Sequence, residues 1–131
     1  MSRYTNKMNE TSNILVNGKP LSPPIHAKVC KDFLNRFKGL MLKRDISTDY
    51  GIILAQKNES RLDSSIHMLG VFMDLGIIWI NSKMIIVDTV IAKPWRPFYI
   101  PSLPAMYTLE VNPTRITEFH INDKVTFNAI A

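Results

Sequence analysis

The sequence predicts a mainly β chain: a single compact β-sandwich or barrel, jelly-roll-like, of about seven to nine short strands with one or two short helices. Three observations carry that expectation. Short runs rich in Ile, Val, Leu and aromatic residues recur along the chain, separated by turn-forming residues. The longest nearly continuous apolar run, Ser64 to Ile80, is apolar at both odd and even positions, the pattern of a strand covered on two sides. A chain of 131 residues with 46% hydrophobic and 21% charged residues is long enough for one real core and short for two.

Residues 1–13 read as a loose polar segment, and residues 14–131 as the domain. In Ile14 to Leu21, Asn17-Gly18 stands between apolar residues and predicts a tight hairpin turn, because both residues tolerate positive φ. Ser22-Pro23-Pro24 breaks that ladder, and Ile25 to Cys30 is the next short strand. From Asp32 to Gly39 the period becomes helical: Phe33, Leu34 and Phe37 share a face, Asp32 caps the start and Gly39 the end, with Leu40 and Met41 folding beneath as core. Tyr50 to Ala55 is a strand and Gln56 to Asp63 a polar loop.

Ser64 to Phe72 is expected as a central strand. Leu75 to Ile80 resumes it, Asn81-Ser82-Lys83 turns, and Met84 to Ile91 returns as hairpin partner. Ala92 to Ala105 carries four prolines, which remove ladder donors every three or four residues, so it is a stiffened loop bearing Trp95, Arg96, Phe98 and Tyr99. Met106 to Val111 is a strand, Pro113 to Phe119 a short helix with Pro113 in its first turn, and Asn122-Asp123 a turn into the last strand, Lys124 to Phe127.

Lys38-Gly39-Leu40-Met41, Ile66-His67-Met68, Pro94-Trp95-Arg96, Tyr107-Thr108-Leu109-Glu110-Val111 and Asn122-Asp123-Lys124-Val125 occur in the order and at the spacing of a known family. Over roughly residues 26–127 the chain resembles the domain of unknown function 192 family. That resemblance implies a small, mostly β sandwich or barrel with one or two short helices and no established activity. The chain departs from the family's pattern at Asp74-Leu75-Gly76, where the family usually has Pro, an aliphatic residue and Asp. An acid is therefore missing at Gly76, with Asp74 two residues earlier, and the closing Gly-Asp of the family is here Asn122-Asp123.

The chemistry-bearing residues are few. His67 lies in the apolar run, where its imidazole needs a hydrogen-bond partner, and Glu110 lies in an otherwise apolar strand, where its carboxylate must reach a rim or be paired. Arg96 is the expected partner of Glu110, a bidentate pair that pins the proline loop to the sheet. His67, Trp95, Arg96, Tyr99 and Glu110 form the expected ligand-binding set, and His67 and Glu110 are the only catalytic candidates. The sequence contains no phosphate loop, dinucleotide fingerprint, nucleophile elbow or Cys/His metal pattern, so neither a cofactor nor a metal is expected.

The leading expectation is thus a non-catalytic binding or accessory module, with a pocket or lip formed by the Pro94 to Pro104 loop against the His67 strand. Its partner is a small ligand, a peptide or a protein. The rival is a hydrolase-like or lyase-like enzyme with His67 as general base and Arg96 and Glu110 orienting it. A third reading follows from charge. The net +5 is uneven, with nine Lys and Arg against two acids in residues 1–44 and seven against nine thereafter, which favours weak binding of an anionic polymer by the first third. No aromatic or glycine-rich nucleic-acid motif accompanies it, so nucleic acid is not the expected partner. The single Cys30 excludes an internal disulfide, and the polar amino-terminal segment and interrupted apolar run place the chain in the cytoplasm without a membrane span.

Overall fold

Asn17 and Gly18 both take positive φ, 52° and 80°, and so close the first hairpin, a conformation Asn tolerates and Gly, without a Cβ, adopts freely. A computed structural model of the chain describes residues 11–30, 36, 40 and 43–129. These form eight strands: β1 (Thr11–Val16), β2 (Lys19–Pro20), β3 (His26–Cys30), β4 (Tyr50–Ser60), β5 (Leu75–Ile80), β6 (Ile86–Ala92), β7 (Ala105–Val111) and β8 (Val125–Ala129). A 3-10 helix spans Pro113–Glu118, with Asn112 capping its start through a side-chain oxygen that accepts from Thr114 N.

The strands build one curled sheet in the order β2-β1-β3-β4-β7-β5-β6, with β8 paired along β1. Only β3 and β4 run parallel; every other pairing is antiparallel. A parallel neighbour needs a crossover, and the connection between Cys30 and Tyr50 supplies it, with Arg36 and Leu40 in helical conformation. Leu40 is buried, as expected, but is itself helical rather than following a stop at Gly39. The expected helical face Phe33, Leu34 and Phe37, the cap Asp32, Gly39 and Met41 lie outside the described residues.

The sheet curls into a half-barrel whose far edge meets the start of β8. Ile86 N donates to Asp123 O at 2.9 Å, and Val125 N to Met84 O at 2.8 Å. Ile14, Ile25, Ile53, Ile78, Leu109, Val111 and Val125 fill one side of the sheet. Ile52, Leu54, Ile77 and Trp79 face the other, where Leu40, Ile66, Met68, Val71 and Met73 cover them. β5 is buried at all six positions, being packed on both faces, and is an interior strand between β7 and β6.

Two expected boundaries move. β4 continues to Ser60, so most of the expected polar loop after Ala55 is a strand arm, with exposed Lys57, Asn58 and Glu59. Ser64 to Phe72 is not a strand. It makes one isolated bridge, Ile66 to Tyr99, and then turns at Gly70, whose φ is 77°. Ile66, Met68 and Val71 pack onto the sheet, whereas Leu69 and Phe72 are largely exposed, so the run is apolar on both sides but buried on one. Ser64 and Ser65 hydroxyls bond to backbone carbonyls of Ser60 and Leu62, competing with strand pairing.

Candidate functional site

Glu110 sits in β7 between Ile52 of β4 and Ile77 of β5. The alternation of β7 therefore aims its carboxylate into the covered face, and it is fully buried. A lone carboxylate there would carry a large desolvation penalty. Arg36, on the crossover, supplies the partner: its Nε lies 2.9 Å and 2.7 Å from the two carboxylate oxygens, and the pair is 2% and 0% exposed. Nη1 of the same guanidinium donates to His67 O at 3.1 Å, and Nη2 lies 3.9 Å from Met68 Sδ. One side chain thus ties the crossover, the sheet and the covering segment together.

The expected Arg96–Glu110 pair is not formed. The segment 66–68 stands between them, giving the His67 carbonyl to Arg36 and the Met68 N–H to Arg96 O at 2.9 Å, which leaves the Arg96 side chain exposed to solvent. Burial holds the Glu110 carboxyl above its ordinary value against the opposing pull of the Arg36 charge. His67 is half-buried, and its Nδ1 accepts from Leu69 N at 3.3 Å. Burial, and then the nearby Arg36 charge, favour its neutral form. The carboxylate that the enzymatic reading assigns to orienting His67 is committed to Arg36.

Arg36 is the site residue that sequence reasoning missed. The available signal was its spacing: Arg36 and Leu40 stand one turn apart and share a helical face, and both are buried. A strand with a buried acid requires a buried cation, and an arginine one turn from a core leucine is the residue to ask.

The proline loop lies on the 66–68 segment through backbone bonds. Ile66 and Tyr99 exchange two, at 3.0 Å and 2.9 Å, and Trp95 N donates to Met68 O at 2.8 Å. Tyr99 is half-buried and its hydroxyl accepts from Lys93 N at 2.8 Å, clasping the loop across its own turn. Further out, Arg61 Nε donates to Pro101 O and Ser102 N to Asp88 Oδ2, both at 2.9 Å. Lys93 pairs with Asp74 at 2.8 Å on the surface. Gly76 is crowded instead, since a Cβ there would stand 3.2 Å from Val111 Cγ2.

Trp95 rises from this clamped loop with φ at 66°, a left-handed backbone unusual for a bulky residue. Its ring meets Phe72 edge to face, with centroids 5.5 Å apart and planes at 81°. The two rings are 52% and 41% exposed, and the Arg44 guanidinium stands 5.8 Å from the Phe72 centroid. Of the expected set, His67, Trp95, Arg96 and Tyr99 therefore belong to one contact between loop and segment, while Glu110 lies beneath it. Of the basic first third, Lys19, Lys28, Arg36, Lys43 and Arg44 lie among the described residues, and Arg36 serves as an internal cation.

Among the described residues, no group of three His, Cys, Asp or Glu side chains is placed to hold a metal ion, and no helix is long and apolar enough to cross a membrane. The fold is similar to two solved structures. One is a Sinorhizobium meliloti protein described as a candidate transcription regulator, at TM-score 0.73 and 17% identity, covering 89% of this chain and 93% of that one. The other is a protein of unknown function from Novosphingobium aromaticivorans, at TM-score 0.68 and 17% identity, covering 89% and 83%.

Sequence relatives are named UPF0127 proteins. The Pyrococcus furiosus relative is 33% identical over 107 residues, 79% of this chain and 88% of its own length. The Thermococcus kodakarensis relative is 34% identical over 103 residues, 79% of this chain. The chain spans 59% of that protein and 52% of a Thermococcus sibiricus relative, which is 36% identical over 83 residues. A family model, DUF192, described as an uncharacterized ACR, matches residues 14–127, and with that match the chain belongs to the domain of unknown function 192 family.

Proposed function

We propose that the domain is a non-catalytic binding or accessory module, and that its contact surface is the lip where the Pro94 to Pro104 loop lies against the His67 segment. The observation that carries the reading is Trp95: half-exposed, in a left-handed backbone, and held there by the Trp95 N to Met68 O bond. Strain of this kind persists only where the surroundings over-determine it, and it clusters at functional positions. Two aromatic rings left in water beside arginine have the composition of interface anchors. Arg96, with its side chain in solvent, adds a charged donor to the lip. Tyr99 and His67 hold the geometry, and the Arg36–Glu110 pair supports it from below. The bonds that clamp the loop mean that little ordering entropy is lost when a peptide or protein segment settles on it.

The two tryptophans make the test direct, since Trp79 is buried and Trp95 is not. Peptides selected from a random display library against the whole chain are expected to shield Trp95 from acrylamide quenching. They should also bind the Trp95→Ala variant about tenfold or more weakly, the loss of one interface anchor. Selected peptides that bind Trp95→Ala as well as the parent chain, while that variant keeps the parent's unfolding midpoint, would place the contact surface elsewhere.

A further inference from the structure

A second concavity lies beside this lip and is not part of it. Met73 follows Phe72 in sequence, and where Phe72 faces Trp95, Met73 turns inward to line a cavity of about 310 Å³ over the start of β4. That volume lies at the small end of the range occupied by small-molecule ligands. Its walls are Leu40, Ile46, Met73 and the ring of Tyr50. All four are core-forming side chains, and Leu40 and Ile46 are otherwise almost wholly buried. A polar bond holds the wall in place: Asn112 Nδ2 donates to Ile46 O at 2.6 Å.

The remaining lining residues carry charge of both signs. Lys43 stands with its Nζ 5.9 Å from the Tyr50 ring centroid, and among the described residues it has no carboxylate partner. Asp45 uses Oδ1 to accept from Ile46 N at 2.9 Å, and among the described residues its other oxygen has no hydrogen-bond donor. Asp49 accepts from Ser47 Oγ, and that hydrogen bond holds its carboxyl below the ordinary carboxylate value, so it is ionised at neutral pH. The Tyr50 hydroxyl is pushed the other way by burial and stays a neutral donor. An apolar acid would meet two carboxylates here, and an apolar amine would meet Lys43. A molecule with both charges on one carbon and an apolar tail satisfies all of them.

We propose that this cavity binds a free α-amino acid with an apolar side chain, its tail against Leu40, Ile46, Met73 and Tyr50, its carboxylate toward Lys43 and its ammonium toward Asp45 and Asp49. The site is independent of the lip, so either can fail while the other stands.

The probes are L-leucine and two truncations of it, 4-methylpentanoate without the amine and 3-methylbutylamine without the carboxylate. They are titrated into the whole chain while the Met73 methyl signal is followed by NMR. Leucine is expected to shift that signal saturably, and each truncated probe to bind about tenfold or more weakly, the loss of one charge-assisted contact. Lys43→Gln should weaken leucine and leave the amine unaffected. Asp45→Asn, which keeps the oxygen that caps Ile46 N, should weaken leucine and leave the acid unaffected. Truncated probes that bind as tightly as leucine, variants that leave leucine binding unchanged, or no movement of the Met73 methyl at millimolar leucine would each overturn the proposal.

Discussion

Arg36 Nε bonds both carboxylate oxygens of Glu110 while its Nη1 holds the His67 carbonyl, so the two buried charges depend on each other. Replacing Glu110 with Leu leaves the Arg36 guanidinium buried without its carboxylate, and the expected loss of unfolding free energy is about 3–5 kcal/mol by urea denaturation. The double variant Arg36→Met, Glu110→Leu removes both charges and should lose clearly less than the single one. The pH dependence has a definite sign. Because burial raises the Glu110 carboxyl in the folded state, the native chain holds more protons than the unfolded one just above the ordinary carboxylate value of 4.5. This residue's contribution is therefore fully present below that pH and is lost as pH rises through the native value. His67 runs the opposite way: its folded value is depressed below 6.5, so its contribution is present above that pH and is lost as pH falls through the native value. Stability measured against pH for the parent and for Glu110→Gln should differ in slope in the window above 4.5, with the variant lacking the decline. The burial and pairing of Glu110 were legible in an apolar strand, because a carboxylate there has few other options. The identity of its partner was not, because the partner came from a helix on the opposite side of the intervening segment.

At the scale of elements, the proline loop was the most legible part of the molecule and Ser64 to Phe72 the least. Four prolines forbid a ladder whatever the tertiary context, so the loop could be read from backbone chemistry alone. The Ser64 to Phe72 run could not, because apolar residues on both sides suggest a strand covered twice, whereas Leu69 and Phe72 are exposed and the backbone bonds to the proline loop in place of a ladder. The same loop yields a stability prediction. Trp95→Gly relieves a left-handed backbone that Trp95→Ala retains, so the glycine variant should be the more stable of the two by about 1 kcal/mol in chemical denaturation. An alanine variant equal to or more stable than glycine would show that the backbone at 95 is not strained. Gly51 makes a complementary case, because a Cβ there would stand 3.2 Å from Glu110 O, a backbone atom. Gly51→Ala is expected to cost about 1–3 kcal/mol as overpacking between β3, β4 and β7, read from the same denaturation curves.

For the molecule as a whole, the curled sheet raises the problem of its free edge. β6 pairs with β5, and beyond Ile86, whose backbone bonds to Asn122 and Asp123, it carries half-exposed Thr89 and Val90 and exposed Ile91. Asp88 guards that edge with both oxygens, Oδ1 accepting from Thr89 N and Oδ2 from Ser102 N, which draws the proline loop across it. Asp88→Ala should therefore raise self-association, seen as a concentration-dependent increase in sedimentation coefficient that the parent chain does not show. The mainly β class was legible from strand-sized runs and turns, and so was the β5–β6 hairpin, because neighbours in sequence pair through short turns. The parallel β3–β4 pairing and the curl were not, since both depend on contacts between residues far apart in the chain. The pairing of β1 with β8, Ser12 against Ala129 through Val16 against Val125, has its own consequence for synthesis on the ribosome. β1 is held along one edge by β8, more than a hundred residues later in the chain, so that seam stays open until residues 125–129 have cleared the exit tunnel. Up to that moment β1, although paired with β2 and β3, presents its other edge to whatever chaperone or neighbouring chain meets it first.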